Sequence, residues 1–329
     1  MVALAAAFGY GVALGLADTR LDGGTLLDRV DRVCGVSGGS FLATQLALDH
    51  DPPALADFRQ KILLKDIEGE LLKAATRKTF RLMRRDFSRT DVAAAWWDEN
   101  LGATPLDQLP EQPELWIQAT DLKTGRPLVM RPEPLRAVGL DPGGITLGSA
   151  LAASSAFPGA FPPLVLEQPQ TIASDVTQSW QLADGGIVDN LGLEALFQAD
   201  VPAGSRAVVV LVVNGRRPRV EPKQSNLSHG RALAMLLPIQ QRRLDELLLL
   251  RTRERLRSLE LQATVAGKTL QTRLVVIDLD QSPQRQKLRT IRTRLALDQD
   301  DVNVLIAEGR KLLNSRAAEL LALWKEEPC

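Results

Sequence analysis

Asp31-Arg32-Val33-Cys34-Gly35-Val36-Ser37-Gly38-Gly39-Ser40-Phe41-Leu42 contains a G-x-S-x-G pentapeptide centred on Ser37. A short apolar run, Arg32 to Val36, precedes it and predicts a strand. Helix-forming residues follow it, through Phe41-Leu42-Ala43-Thr44-Gln45-Leu46-Ala47-Leu48, and predict a helix from Gly38 to Asp49. A serine on so sharp a strand-to-helix turn holds strained backbone angles, and its neighbours must be nearly free of side chains. Gly35 and Gly39 lie two residues either side and are expected to supply that clearance. The Gly38 amide is expected to point where an oxyanion would form, at the positive end of the helix.

Outward from this turn the chain alternates helices and short apolar strands. The spacing predicts a helix over 3–16, strands at 115–120 and 127–131 around a turn at Lys123-Thr124-Gly125-Arg126, and a helix of small residues over 146–154. Ala207-Val208-Val209-Val210-Leu211-Val212-Val213 and Leu274-Val275-Val276-Ile277-Asp278-Leu279 read as buried strands of the parallel type. Strands separated by helices predict an α/β fold with a mostly parallel sheet and helices on both faces. Residues 52–100 are charged and helical by period, and read as a helical insertion. Within it, Trp96 and Trp97 read as core, with the lining of an acyl pocket as the other possibility. Arg217 to Asn226 reads as a mobile loop, rich in proline and polar residues. Two helical segments, 232–238 and 240–258, follow it. The second is amphipathic, and reads as a domain helix with a solvated basic face mixed with Asp245, Glu246 and Glu254, or as a membrane-surface helix or lid that admits lipid chains.

A nucleophilic serine needs a base, and the chain has two histidines. His50 ends the helix that follows Ser37. His229 falls in the polar stretch 223–230, which has no apolar frame to fix an imidazole as a triad requires. A better candidate is Asp184, in Trp180-Gln181-Leu182-Ala183-Asp184-Gly185-Gly186-Ile187-Val188-Asp189-Asn190-Leu191-Gly192. An aspartate ending an apolar strand and followed by two glycines can present its carboxylate at the sheet end, and can act directly as general base within hydrogen-bond reach of the serine. Taken alone, Asp-Gly-Gly reads equally as a plain turn. Asp189 and Asn190 are expected to order the turn after Asp184 through side-chain-to-backbone hydrogen bonds.

Together these residues resemble the patatin-like phospholipase family. Further likeness lies in Ala5-Ala6-Ala7-Phe8-Gly9-Tyr10-Gly11-Val12, which is similar to the family's first helix. Ala153-Ser154-Ser155-Ala156-Phe157-Pro158-Gly159-Ala160-Phe161-Pro162-Pro163 resembles its A-S-x-A-x-P-x-x-F-P-P segment. Asp184 to Leu193 and the region of Thr293-Arg294-Leu295 complete a match that spans nearly the whole chain in order. The resemblance implies a three-layer α/β/α patatin-like domain over 1–329, with the insertion at about 52–100 and a C-terminal helical region at about 232–329. It implies a Ser37–Asp184 dyad that hydrolyses fatty-acyl esters of phospholipids or related lipids, as a phospholipase A or lysophospholipase does. The Gly38 amide would be an oxyanion donor, Gly35, Gly39, Gly185 and Gly186 the supporting glycines, and no cofactor would be used.

One departure stands out. The family carries a glycine-rich, basic oxyanion loop before its first helix, whereas Met1-Val2 and Leu4 occupy the corresponding positions here, and the first strand of the sheet is missing as well. The reading drawn from this is that the chain starts late. Loss of one oxyanion donor costs about two to three orders of magnitude in rate. This departure motivates one alternative to the active dyad, a weak or silent lipid-binding protein of the same fold; a Ser-His-Asp esterase that uses His229 is a separate one.

Composition bounds the rest. The 329 residues are 45% hydrophobic, enough for a sizeable core. Forty basic and forty acidic residues cancel, and aromatic residues make up 4%. Neither pattern suits a nucleic-acid binder that works by global charge or base stacking. No apolar run reaches the roughly 18 residues of a membrane span. Residues 1–14 lack the basic flank of a signal peptide and read as a domain helix. Localisation stays open, with the cytoplasm or a membrane surface as the default. Cys34 reads as a small buried residue, and Cys329 sits at the end of the chain. The spacing of His and Cys predicts no metal site.

Overall fold

The structure is a computed structural model, and it describes residues 2–77, 88–168, 178–197, 200–218, 229–291, 294 and 296–325. In chain order its principal elements are α1 (Val2–Asp18), β1 (Arg20–Leu21), β2 (Gly24–Thr25), β3 (Arg32–Val36), α2 (Gly38–Leu48), α3 (Pro52–Phe58), α4 (Ile67–Arg77), α5 (Arg89–Leu101), β4 (Glu114–Asp121), β5 (Arg126–Met130), α6 (Pro132–Ala137), α7 (Leu147–Ser154), β6 (Leu164–Glu167), β7 (Ser179–Asp184), α8 (Leu193–Leu196), β8 (Ala207–Asn214), α9 (His229–Val265), β9 (Gln271–Asp278), α10 (Arg285–Leu288), α11 (Gln299–Asn314) and α12 (Ala317–Lys325). The chain divides into two compact units. One is essentially residues 31–195, and the other holds most of 4–30, 196–293 and 298–329.

The first unit is built on a five-stranded sheet in the order β3-β4-β7-β6, with β5 also paired to β4. The α/β class read from the sequence holds, but this sheet is mixed rather than mostly parallel. Only β3–β4 is a parallel pair within it; β4–β5, β4–β7 and β6–β7 are antiparallel. Connection length explains part of the difference. Four residues join β4 to β5, far fewer than the dozen or so that a parallel crossover needs. The core of the unit includes Ile117, Leu147, Leu151 and Leu182, all essentially without solvent contact. Trp96 and Trp97 are core residues too: their rings meet edge to face, and Trp97 lies against Phe41 of α2.

The order of small residues in α7 has a packing reason. A Cβ on Gly148 would stand 2.6 Å from the Ala94 carbonyl of α5, so the glycine lets the two helices approach closely. Asp98 of α5 then accepts hydrogen bonds from the Gly148 amide and the Thr146 hydroxyl, which fixes the start of α7. Ser154 lies at the other end of this helix.

In the second unit β8 and β9 form a parallel pair, as their β-branched runs predict, but they are not the fully buried strands expected: β8 is mostly half-buried, with Val212 buried and Val213 exposed. Helices α1 and α11 pack through glycines: a Cβ on Gly11 would stand 2.1 Å from the Ile306 carbonyl oxygen, and one on Gly309 would stand 2.2 Å from that of Phe8. Helix α9 runs unbroken through Pro238, where the sequence predicts two segments. Its outward face carries Ile239, Leu247 and Leu250 beside Arg243, Arg253 and Arg257, so it is not purely an arginine face. The sequence-predicted loop lies mostly in 219–228, outside the described residues, as does Cys329.

Candidate active site

Ser37 stands between β3 and α2 with φ 52° and ψ −125°, and is the one non-glycine residue with positive φ among those described. An L-residue adopts that region at a cost, and holds it only where the surroundings over-determine it. Three contacts do so. The Ser37 N–H donates to Ser154 Oγ at 2.9 Å, its carbonyl accepts from Ser40 Oγ at 2.5 Å, and the Ser40 N–H donates to that same carbonyl at 3.1 Å.

The two flanking glycines turn out to differ. A Cβ on Gly35 would lie 2.4 Å from Ser40 Cα and 2.8 Å from Ala43 Cβ, so the glycine is what allows α2 to seat on β3. A Cβ on Gly39 would meet nothing within 4 Å. The clearance expected of Gly39 is therefore not needed: by that point the chain is in the first turn of α2, and the position faces open space.

Strand β7 ends at Asp184, which donates its N–H to the Ala156 carbonyl and accepts at its own carbonyl from Thr120 Oγ1. The side chain reaches Ser37: Ser37 Oγ donates to Asp184 Oδ2 at 2.6 Å, and the Gly186 N–H donates to Asp184 Oδ1 at 2.8 Å. Asp184 is 1% exposed and Ser37 7%, so the pair meets solvent mainly through the serine. Burial raises the Asp184 pKa above the ordinary carboxylate value, against the opposing pull of the hydrogen bonds from Ser37 and Gly186. The two glycines after Asp184 differ: Gly185 is held against rigid backbone, whereas Gly186 faces a side-chain end that can move. A Cβ on Gly185 would stand 2.3 Å from the Gln118 carbonyl oxygen, and one on Gly186 would stand 2.9 Å from Asn190 Oδ1.

Asp189 plays the bracing part read for it. Its two carboxylate oxygens accept from the Leu191 and Glu194 amides, and Gln118 Nε2 donates to its main-chain carbonyl. Cys34, on β3, has its sulfur against Gly192. The residue is half-buried; burial and the Asp189 carboxylate push its thiol pKa up, which favours the neutral thiol.

His50 does not join this group. His50 lies beyond the far end of α2, an 11-residue helix about 16 Å long. His229 opens α9 rather than sitting in a loop, and its side chain lies outside the described residues. Gly38 is the first residue of α2 and is buried. Ser154 and Gln118 belong to the site, and the sequence pattern alone does not single them out. Ser154 lay inside the quoted Ala-Ser-Ser-Ala segment, but a serine there carries no local pattern that assigns it a partner 117 residues away.

A family model described as patatin-like phospholipase matches residues 3–197. No curated protein matches the chain.

Proposed function

The chain belongs to the patatin-like phospholipase family, and we propose that it is a lipid acyl hydrolase working through a Ser37–Asp184 dyad. The observation that carries this reading is the 2.6 Å hydrogen bond from Ser37 Oγ to a buried carboxylate whose other oxygen is already held by the backbone. As Ser37 Oγ attacks the ester carbonyl carbon, Asp184 takes the hydroxyl proton and the carbonyl electron pair moves onto oxygen. The Gly38 amide, at the start of α2, donates to that oxyanion. Collapse expels the alcohol, which leaves with the proton from Asp184, and the acyl group stays on Ser37. Water then attacks the acyl-serine while Asp184 accepts its proton, and collapse of that intermediate releases the fatty acid as Asp184 returns the proton to Ser37 Oγ. Burial that raises the Asp184 pKa makes it a stronger base than an exposed aspartate, which suits this task.

The substrate class is a fatty-acyl ester of a phospholipid or lysophospholipid, and the reading requires no cofactor. Peripheral contact with a lipid surface belongs to the same reading, supported by the exposed Leu247 and Leu250 beside Arg253 and Arg257 on α9.

Labelling with a fluorophosphonate probe tests the dyad. The unaltered chain is expected to label, Ser37→Ala to fail, and Asp184→Ala to label far more slowly. Undiminished labelling of Ser37→Ala would overturn the reading. Sedimentation with phosphatidylglycerol vesicles tests the surface contact: the double change of Leu247 and Leu250 to Asp is expected to release the protein, and unchanged co-sedimentation removes α9 as the contact.

A further inference from the structure

We infer that Ser154 is a positioning residue that sets the nucleophile against its base, an inference that rests on the dyad reading above. Three observations carry it. Ser154 Oγ accepts from the Ser37 N–H at 2.9 Å and donates to the Gln118 carbonyl at 2.7 Å, so a single hydroxyl joins the strained turn to β4. The side chain is 0% exposed, and no solvent reaches it to take over the bonds.

The choice of β4 is the second point. In the sheet register Val36, the residue before the nucleophile, pairs with Gln118, and Asp184 pairs with Ala119. The strand that Ser154 grips is thus the one against which both halves of the dyad are registered. Loosening its grip lets the Ser37 backbone relax without moving Asp184.

Gln118 supplies the third point. Its carbonyl holds Ser154, its Nε2 holds the Asp189 carbonyl, and its main chain abuts Gly185. Its Oε1 has no hydrogen-bond partner among the described residues, although the residue is fully buried. A buried amide with one unsatisfied acceptor is a poor way to stabilise a core. Its position is explained by the two segments that it ties together. Through Ser154 and Gln118 the serine turn and the aspartate loop share one buried anchor.

A second effect follows from the same bond. Because the Ser37 N–H is committed to Ser154, the oxyanion is left to the amide that comes next, that of Gly38.

The test compares Ser154→Ala, Ser154→Cys and Ser155→Ala in hydrolysis of p-nitrophenyl butyrate, with thermal unfolding alongside. Ser155 is the control, since among the described residues its hydroxyl bonds carbonyls of its own helix alone. Ser154→Ala is expected to lower kcat by ten- to a hundredfold, the scale of a misplacement of about 1 Å, with KM nearly unchanged. Ser154→Cys keeps the size and weakens the bonds, and should fall between Ser154→Ala and the unaltered protein at an unchanged melting temperature. Ser155→Ala should keep kcat. A folded Ser154→Ala or Ser154→Cys with unaltered kcat overturns the inference, as does an equal loss in Ser155→Ala. Ser37→Ala in the same series separates the two failures. If it retains full activity, the dyad reading falls and this inference with it; if it is inactive while the Ser154 variants are unimpaired, only this inference falls.

Discussion

Replacing Gly35 by Ala perturbs the turn without touching a reacting atom, and its cost can be worked from distances. The added Cβ would stand 2.4 Å from Ser40 Cα and 2.8 Å from Ala43 Cβ. Carbon atoms in contact prefer about 3.5–4.0 Å, so α2 has to lift from β3 by roughly 1 Å. Neither obstacle is the end of a flexible side chain that could swing aside. Overpacking of this kind costs about 1–3 kcal/mol. At about 2–4 °C per kcal/mol for a unit of this size, the melting temperature should fall by about 2–12 °C. Ser37 and Gly38 lie at the lifted end of the helix, and a displacement of about 1 Å there should cost about a hundredfold in rate. Gly39→Ala is the matched control within the same pentapeptide. Its Cβ enters open space in the first turn of a helix, where Ala is favoured over Gly by up to about 1 kcal/mol. Differential scanning calorimetry and the rate of fluorophosphonate labelling check both variants. Equal melting temperatures for the two, or a Gly35→Ala protein that melts and labels like the unaltered chain, would refute the packing argument.

Asp184→Asn should lower kcat by about two to four orders of magnitude, the usual worth of a general base, in the p-nitrophenyl butyrate assay. The same change should make the fold more stable at neutral pH. A carboxylate whose pKa is raised by folding burdens the native state above that pKa, and the burden lifts as pH falls towards the unfolded value. The melting-temperature gap between Asp184→Asn and the unaltered protein should therefore shrink on acidification through the carboxylate range; a gap that widens contradicts the raised pKa. The acid limb of kcat/KM should lie above the ordinary aspartate value of about 3.9, because only ionised Asp184 accepts the proton. His50→Ala and His229→Ala should each keep hydrolysis within about twofold, and a loss of a hundredfold or more in either would restore a histidine base.

The parts of the site that were legible are those whose physics is local. A strand, a glycine-flanked serine and a helix occur within residues 32–48, and the backbone follows that reading to within a residue. Asp184 was legible because a strand end and two glycines sit beside it in the chain. The β4–β5 hairpin was legible from its turn. What was not legible depends on partners distant in sequence. Nothing near residue 179 says that β7 runs antiparallel to β4, because direction is set by which strand lies alongside and not by the strand's own side chains. Ser154 is one of two adjacent serines with the same local surroundings. Only the fold distinguishes the one that reaches Ser37 from the one that bonds back into its own helix. Gly39 shows the converse: a motif position that seemed to need a glycine for clearance has no atom near it.

Two buried aspartates five residues apart, Asp184 and Asp189, share one loop, and burial raises the pKa of both. Their hydrogen bonds separate their roles. Asp189 commits both oxygens to main-chain amides, those of Leu191 and Glu194, so that its carboxylate cannot move without releasing the turn that it holds. Asp184 commits one oxygen to the Gly186 amide, and the only other hydrogen bond described at its carboxylate comes from the hydroxyl of Ser37. A base has to be held firmly and still have one oxygen open to a proton that comes and goes. Fully exposed, Asp184 would be a weak base with no fixed geometry; fully committed to amides, it would be a brace like its neighbour. The glycines at 185 and 186 produce the intermediate case. Gly185 lets the chain pass against the Gln118 carbonyl, which brings the Gly186 amide to one oxygen and leaves the other to the serine.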